Sequence, residues 1–278
     1  MLPPDADALL AARYGNAAPK TPAAWSPLID QLLAHRSVRH YLPDPVSDEQ
    51  LSAIMAAAQS ASTSSNLQTW SAVAVRDASV RAALSECTGG QAHVREAPLQ
   101  LVWLVDLARL AHIAQEADMP HDALDYMEMF LVGAVDAALA AQNAVLAAQS
   151  LGLAACYIGA LRNQPEQVSA LLGLPPQVFA VFGMTLGTED TQGNTPAAIK
   201  PRLPQNVVLH HERYTCVDQQ MAGVQAYNQA MAHFYATQNM AVRGTWAVHS
   251  AKRIKDALAL TGRDRLIQAL QALGFKLK

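Results

Sequence analysis

Residues 137–161, AALAAQNAVLAAQSLGLAACYIGAL, contain no charged side chain. An apolar stretch of that length either crosses a bilayer or is buried within protein. The amides of Gln142, Asn143 and Gln149, followed by Ser150 and Gly152, are poor company for hydrocarbon and favour burial. The run therefore reads as the end of a helix that is apolar on most sides, followed by a buried strand, and no membrane partner is expected.

The neighbouring segments have to cover that run. Trp25, Ile29, Leu32 and Leu33 recur at helical spacing and mark a short helix. Pro43 and Pro45 hold the next residues out of helix, and Ser47 with Gln50 forms an S-x-x-Q capping box. It opens a helix with Leu51, Ile54, Met55 and Ala58 inward, ending near Ser60. The polar run SASTSSNLQ leads into a strand at 70–76. LQLVWLVD, at 99–106, reads as a strand covered on both faces because it does not alternate.

The long helix is expected over 123–150, with Leu124, Phe130, Leu131, Ala134 and Val135 on its apolar face. Strands near 153–158 and 178–186 follow, separated by a helix stopping around Gly173 and Pro175. Four or five strands interleave with helices. The chain is 51% hydrophobic but only 6% aromatic, which favours packed helices over a β-sandwich. No linker divides the 278 residues, so a single core over 25–278 is expected, preceded by a loose extension at 1–24. Within that extension Asp5 and Asp7 stand where a signal peptide would carry lysine or arginine.

A net charge of -3 provides no basic field for nucleic acid. Cys87, Cys156 and Cys216 form no C-x-x-C pair, read as buried or half-buried thiols, and fit a cytoplasmic setting. Dinucleotide-fold, P-loop and hydrolase-elbow fingerprints are missing from the sequence. His210, His211 and Glu212 are adjacent, so in an extended chain their side chains diverge and no metal site is expected.

Two polar patches remain. In HRSVR the alternate residues His35, Ser37 and Arg39 project to one side of an extended chain, with Arg36 between them. In IKPRLP the prolines hold Lys200 and Arg202 extended, again on one side. Together they have the donors of a phosphate clamp, since guanidinium meets phosphate oxygens bidentately. Taken singly, each patch reads as solvated surface before it reads as a clamp.

Read in order, HRSVRHYLPDPVSDEQLSAIMAAAQSASTSSNLQ, the turn Gly89-Gly90-Gln91, VDAALAAQNAVLAAQSLGL, CYIGALRN and KPRLP resemble the FMN-dependent nitroreductase family. The resemblance is to its oxygen-insensitive NADPH nitroreductase and flavin reductase P branch. It implies an α+β fold, a three-layer sandwich with a central mixed sheet flanked by helices, in an intertwined homodimer. The implied activity is ping-pong transfer of two electrons from NADPH or NADH, through FMN, to nitroaromatics, quinones or flavins.

By the same resemblance His35, Arg36, Ser37, Lys200 and Arg202 surround the FMN phosphate, and Arg39 lies by the N1 and O2 edge of the flavin. A cation there meets the negative charge that gathers on reduction. Gln91 is implied at the pyrimidine edge, Ser64 and Ser65 in a loop touching the cofactor, and the Gly159 N–H near N5. Arg162 and Arg243 are the candidates for seating the nicotinamide donor. No side chain is required as nucleophile. The segment ATQNMAVRGTW carries only Arg243 as a charge where the branch has a basic loop, so the choice of donor stays open, as does a non-catalytic FMN-binding protein.

Overall fold

A computed structural model of the chain describes residues 6–192 and 196–278. The helices are α1 (Ala6–Tyr14), α2 (Pro27–Leu33), α3 (Asp48–Gln59), α4 (Ala78–Cys87), α5 (Ala92–Glu96), α6 (Ala108–Glu116), α7 (Met127–Ser150), α8 (Pro165–Leu172), α9 (Gln205–Val208), α10 (Val217–Thr237), α11 (Trp246–Arg253) and α12 (Leu266–Ala272). The strands are β1 (Trp70–Val75), β2 (Leu99–Asp106), β3 (Ala154–Ile158) and β4 (Val178–Gly187). The chain divides into two compact units where one core was expected: Met1–Arg36 with Thr195–Ala259, and Ser37–Asn194 with Leu260–Lys278.

The second unit contains the sheet. Its order is β1-β2-β4-β3 and every pairing of these strands is antiparallel. A parallel bridge between Ser37 and Ala155 adds mixed character at the β3 edge. Leu99, Leu101 and Trp103 of β2 join Ile54 and Ala58 of α3 and the alanines of α7 in one cluster. Val102 and Leu104, with the opposite orientation, join Leu84 of α4, Val94 of α5 and Val168 of α8 in another. This sandwiching is why β2 is apolar at successive positions. The three layers expected from the resemblance are present in this unit.

Local sequence sets the boundaries. Ser47 Oγ accepts from the Gln50 N–H at 3.1 Å and Gln50 Oε1 accepts from the Ser47 N–H at 2.9 Å, so the capping box forms as expected. Pro165 starts α8, and Gly173, at φ 62°, ends it in the left-handed conformation that glycine adopts without strain. Asp77, which the sequence reading passed over, caps α4 by accepting from the Ser79 and Val80 N–H groups.

Helix α7 starts at Met127, behind a short 3₁₀ turn over Asp122–Asp125, and it is turned differently from the expectation. Ala137, Ala140, Ala141, Ala144 and Ala148 are fully buried, whereas Leu131 and Val135, expected inside, are 52% and 48% exposed. Alanine lets α7 approach α3 and the sheet closely, and that packing takes precedence over presenting the larger side chains to the core. Asp136 is buried on the same inner face.

In the first unit, the expected loose extension is ordered from residue 6 onward; Asp5 lies outside the described residues. Helix α1 buries Leu9, Leu10 and Arg13. A Cβ on Gly15 would stand 3.2 Å from the Ala230 Cβ, so the turn after α1 sits directly on α10. Tyr227, Met231 and Phe234 of α10 form this unit's own apolar cluster with Ala198, Leu203 and Trp246.

Candidate functional site

The clamp candidates of the first unit lie on two segments tied by arginines. Arg36 Nη1 donates to the Ala197 carbonyl at 3.0 Å. Arg13 Nη1 donates to the Lys200 carbonyl at 2.7 Å, and its Nη2 to the carbonyls of Leu33 at 2.5 Å and His35 at 3.0 Å. The Arg202 N–H donates to the Arg13 carbonyl at 2.8 Å. His35, Arg36, Lys200 and Arg202 are thereby held on a common frame, with Lys200 Nζ 5.8 Å from the Phe234 ring centroid. Arg243 is exposed between α10 and α11 and makes none of these bonds.

In the second unit, Ser37 and Arg39 are fixed to the outer edge of β3. The Val38 N–H donates to the Ala155 carbonyl at 3.1 Å beside the Ser37–Ala155 bridge. Tyr41 Oη reaches the Val38 carbonyl at 2.7 Å and Thr185 Oγ1 at 2.8 Å, which pins the turn behind Arg39. Burial holds the Tyr41 hydroxyl well above the usual phenol range, so it remains a neutral hydrogen-bonding group. Arg39 is exposed and forms no ion pair among the described residues.

The Gly89-Gly90-Gln91 turn opens α5 behind this arginine. Gln91 Nε2 donates to the Thr88 carbonyl at 3.0 Å and the Gln91 carbonyl accepts from Ser85 Oγ at 2.9 Å, so its side chain is anchored at the helix start. Two residues on, His93 is buried, its Nε2 unpartnered. Burial first, then the charges of Arg39 and His40, push its pKa down from 6.5 to about 4. A neutral imidazole therefore stands behind the Arg39 cation.

Strand β3 delivers Gly159 at its end, where a Cβ would come within 3.3 Å of Arg162 Nη2. Arg162 itself turns inward and donates to the Val181 carbonyl. Burial, with Arg263 adding repulsion, lowers its pKa. The structure thus seats Arg162 beneath the Gly159 turn.

Ser64 and Ser65 belong to a short 3₁₀ turn in which Ser65, Asn66 and then Gln68 have φ of 49°, 55° and 52°. Three left-handed non-glycine residues so close together are strained, and something must hold them. Asp136 of α7 does so. Its carboxylate accepts from Thr63 Oγ1 at 2.5 Å, Ser64 N at 3.1 Å, Thr69 N at 3.2 Å and Thr69 Oγ1 at 2.9 Å. The sequence reading missed Asp136 and Arg13; the signal for Asp136 was a lone acid next to the uncharged run, and α1 offered none for Arg13.

The remaining candidates have ordinary roles. His210 Nδ1 accepts from the Thr215 N–H at 3.3 Å and its ring lies 4.5 Å from that of Tyr214. Cys87 and Cys156 are buried, but Cys216, at the residue before α10, is exposed, contrary to expectation.

These donors suit an anionic, planar cofactor. Within the first unit, Lys200 and Arg202 are cations held on one main-chain frame, and within the second, Arg39 is an exposed cation; groups of this kind meet anionic oxygens.

The nitroreductase family model matches residues 32–188 and the model of the nitroreductase family C-terminal domain matches residues 200–278. The chain is 38% identical to the oxygen-insensitive NADPH nitroreductase of Salmonella typhimurium over 251 residues, 90% of this chain and 98% of that one. It is 39% identical to an FMN reductase [NAD(P)H] of Bacillus subtilis over 209 residues, 74% of this chain and 82% of that one. A solved structure, the NADPH:FMN oxidoreductase from Vibrio harveyi complexed with NAD+, superposes with a TM-score of 0.79 at 36% identity, covering 91% of this chain and 100% of that one. Two family models that between them take in most of the chain, and relatives matched along nearly their whole length, make the chain a member of the nitroreductase family.

Proposed function

We propose that the protein is an FMN-dependent oxidoreductase that takes two electrons from NADPH or NADH and delivers them to small acceptors such as nitroaromatics, quinones or flavins. The single observation that carries this reading is Arg39: an exposed cation without an acidic partner among the described residues, fixed to β3 and backed by neutral His93. The names of the relatives support it.

FMN, when bound, supplies the hydride-transfer chemistry. His35, Lys200 and Arg202 of the first unit would hold its phosphate, with Arg36 bracing the segment at Ala197. Arg39 would offer positive charge to the pyrimidine edge, next to Gln91, and this charge favours the reduced state. Gly159 would offer a main-chain N–H, and the Ser64–Ser65 turn would close one side. Arg162 positions the Gly159 turn, which leaves Arg243 as the exposed cation for the phosphate of a nicotinamide donor. No side chain needs to act as nucleophile.

We further infer a cytoplasmic homodimer formed through the outer face of α7. Leu131, Val135 and Leu139 are 52%, 48% and 44% exposed and line one groove with Ser62–Ser64. A second copy of the same face would cover them. Light scattering should give twice the chain mass, and Leu139→Glu should reduce it.

The test of function is the visible spectrum of the purified protein as NADPH is added without oxygen. Yellow protein that bleaches at about one equivalent per flavin supports the reading. Yellow protein that bleaches with neither NADPH nor NADH is a flavin carrier, and protein that cannot be loaded with FMN defeats the cofactor assignment.

A further inference from the structure

Arg13 stands outside the residues matched by either family model, which begin at 32 and at 200. It is a buried cation, 5% exposed, on helix α1. Its side-chain hydrogen bonds among the described residues all go to main-chain carbonyls, those of Leu33, His35 and Lys200. Its own carbonyl accepts the Arg202 N–H. One residue thus binds both ends of the extended 200–202 segment and the end of α2.

A guanidinium can do this because its planar fork donates in several fixed directions at once. The charge is an apparent liability. Burial, with Arg202 nearby, lowers its pKa to about 10, so at neutral pH it remains protonated among other cations. A phosphate dianion in reach of Lys200 and Arg202 would offset that repulsion.

We propose that Arg13 is a positioning residue for the phosphate end of the flavin cofactor, holding the carbonyls of His35 and Lys200 and the N–H of Arg202 so that their side chains stay arranged for the anion. This rests on the assignment of His35, Lys200 and Arg202 to the FMN phosphate. Helix α1 is then a working part of the binding site.

The test compares FMN with riboflavin, which has the same ring and no phosphate. Full-length protein is stripped of flavin and titrated with each, as wild type, Arg13→Gln, Arg13→Lys and Arg202→Ala, with melting temperatures recorded alongside. Arg13→Gln should weaken FMN roughly 10–100-fold, as loss of the group orienting a metal ligand weakens metal binding, and leave riboflavin nearly unchanged. Arg13→Lys, which keeps the charge without the fork, should recover part of the loss, and it stands in if the glutamine variant does not fold.

Parallel loss of both flavins, or no loss of either, overturns the proposal. If Arg202→Ala removes the preference for FMN while both Arg13 variants keep it, Arg13 alone is misassigned. If the wild type shows no preference for FMN over riboflavin, the phosphate assignment beneath the proposal is what fails.

Discussion

Removing the Asp136 carboxylate tests whether the Ser64–Gln68 turn is held from the helix. Asp136 is 2% exposed and accepts four hydrogen bonds, two of them from Thr69, which is fully buried. In Asp136→Ala the Ser64 amide can find water and the Thr63 hydroxyl can rotate, but the Thr69 amide and hydroxyl lose their acceptor inside protein. Each buried group left unsatisfied costs about 1–3 kcal/mol, partly offset because a buried carboxylate no longer has to be desolvated. The net expectation is about 2–4 kcal/mol, or about 3–7 °C in melting temperature for a chain of this size.

Asp136→Asn keeps the shape and one acceptor and should lose about half as much. Calorimetry measures both. Because the strained Ser65, Asn66 and Gln68 depend on this anchor, FMN retention should fall with stability in the alanine variant. An Asp136→Ala protein melting within about 1 °C of wild type would refute the view that the carboxylate holds the turn.

His93 should make stability depend on pH. With its pKa near 4 in the fold against 6.5 ordinarily, the unfolded chain takes up a proton first as pH falls from 6.5 towards 4. Stability should drop across that window by up to about 3 kcal/mol, seen as a lower urea midpoint at pH 4.5 than at 7. The same drop in His93→Gln would assign the effect elsewhere. Gly133→Ala should destabilise by about 1–3 kcal/mol in urea melts despite alanine's better helix propensity, since the new Cβ would lie 2.7 Å from Val105 Cγ1 and 3.1 Å from the Thr69 carbonyl oxygen. Arg39→Ala should slow flavin reduction in stopped flow more than it weakens FMN retention, and Arg202→Ala should do the reverse; equal effects from both would undo that division of labour.

Some of this was legible in the sequence because it is local. The Ser47–Gln50 capping box and the doubly apolar β2 follow from residues that are neighbours in the chain. What stayed hidden depends on distant partners. Leu131 and Val135 look like core by periodicity, but α7 turns its alanines inward because they allow closer packing, which no single helix reports. Arg13 looks like a solvated charge until the carbonyls of Leu33, His35 and Lys200 surround it. Arg162 sits beside Gly159 in sequence, yet its role is fixed by Val181 on another strand. The clamp residues were found through motif order, since their own chemistry reads first as that of an ordinary surface.

The buried alanines of α7 give the protein an uneven tolerance of change. Ala140, Ala141, Ala144 and Ala148 have almost nothing to lose by truncation, so this seam cannot fail by opening a cavity in the way a leucine seam does. Gaining atoms is the graver failure, because there is no slack between α7, α3 and the sheet to receive them, while glycine at each position costs about 1 kcal/mol of helix propensity. Random variation along this helix should therefore tolerate a single change to glycine or serine at these four positions better than one to valine or leucine, a bias opposite to that of most hydrophobic cores.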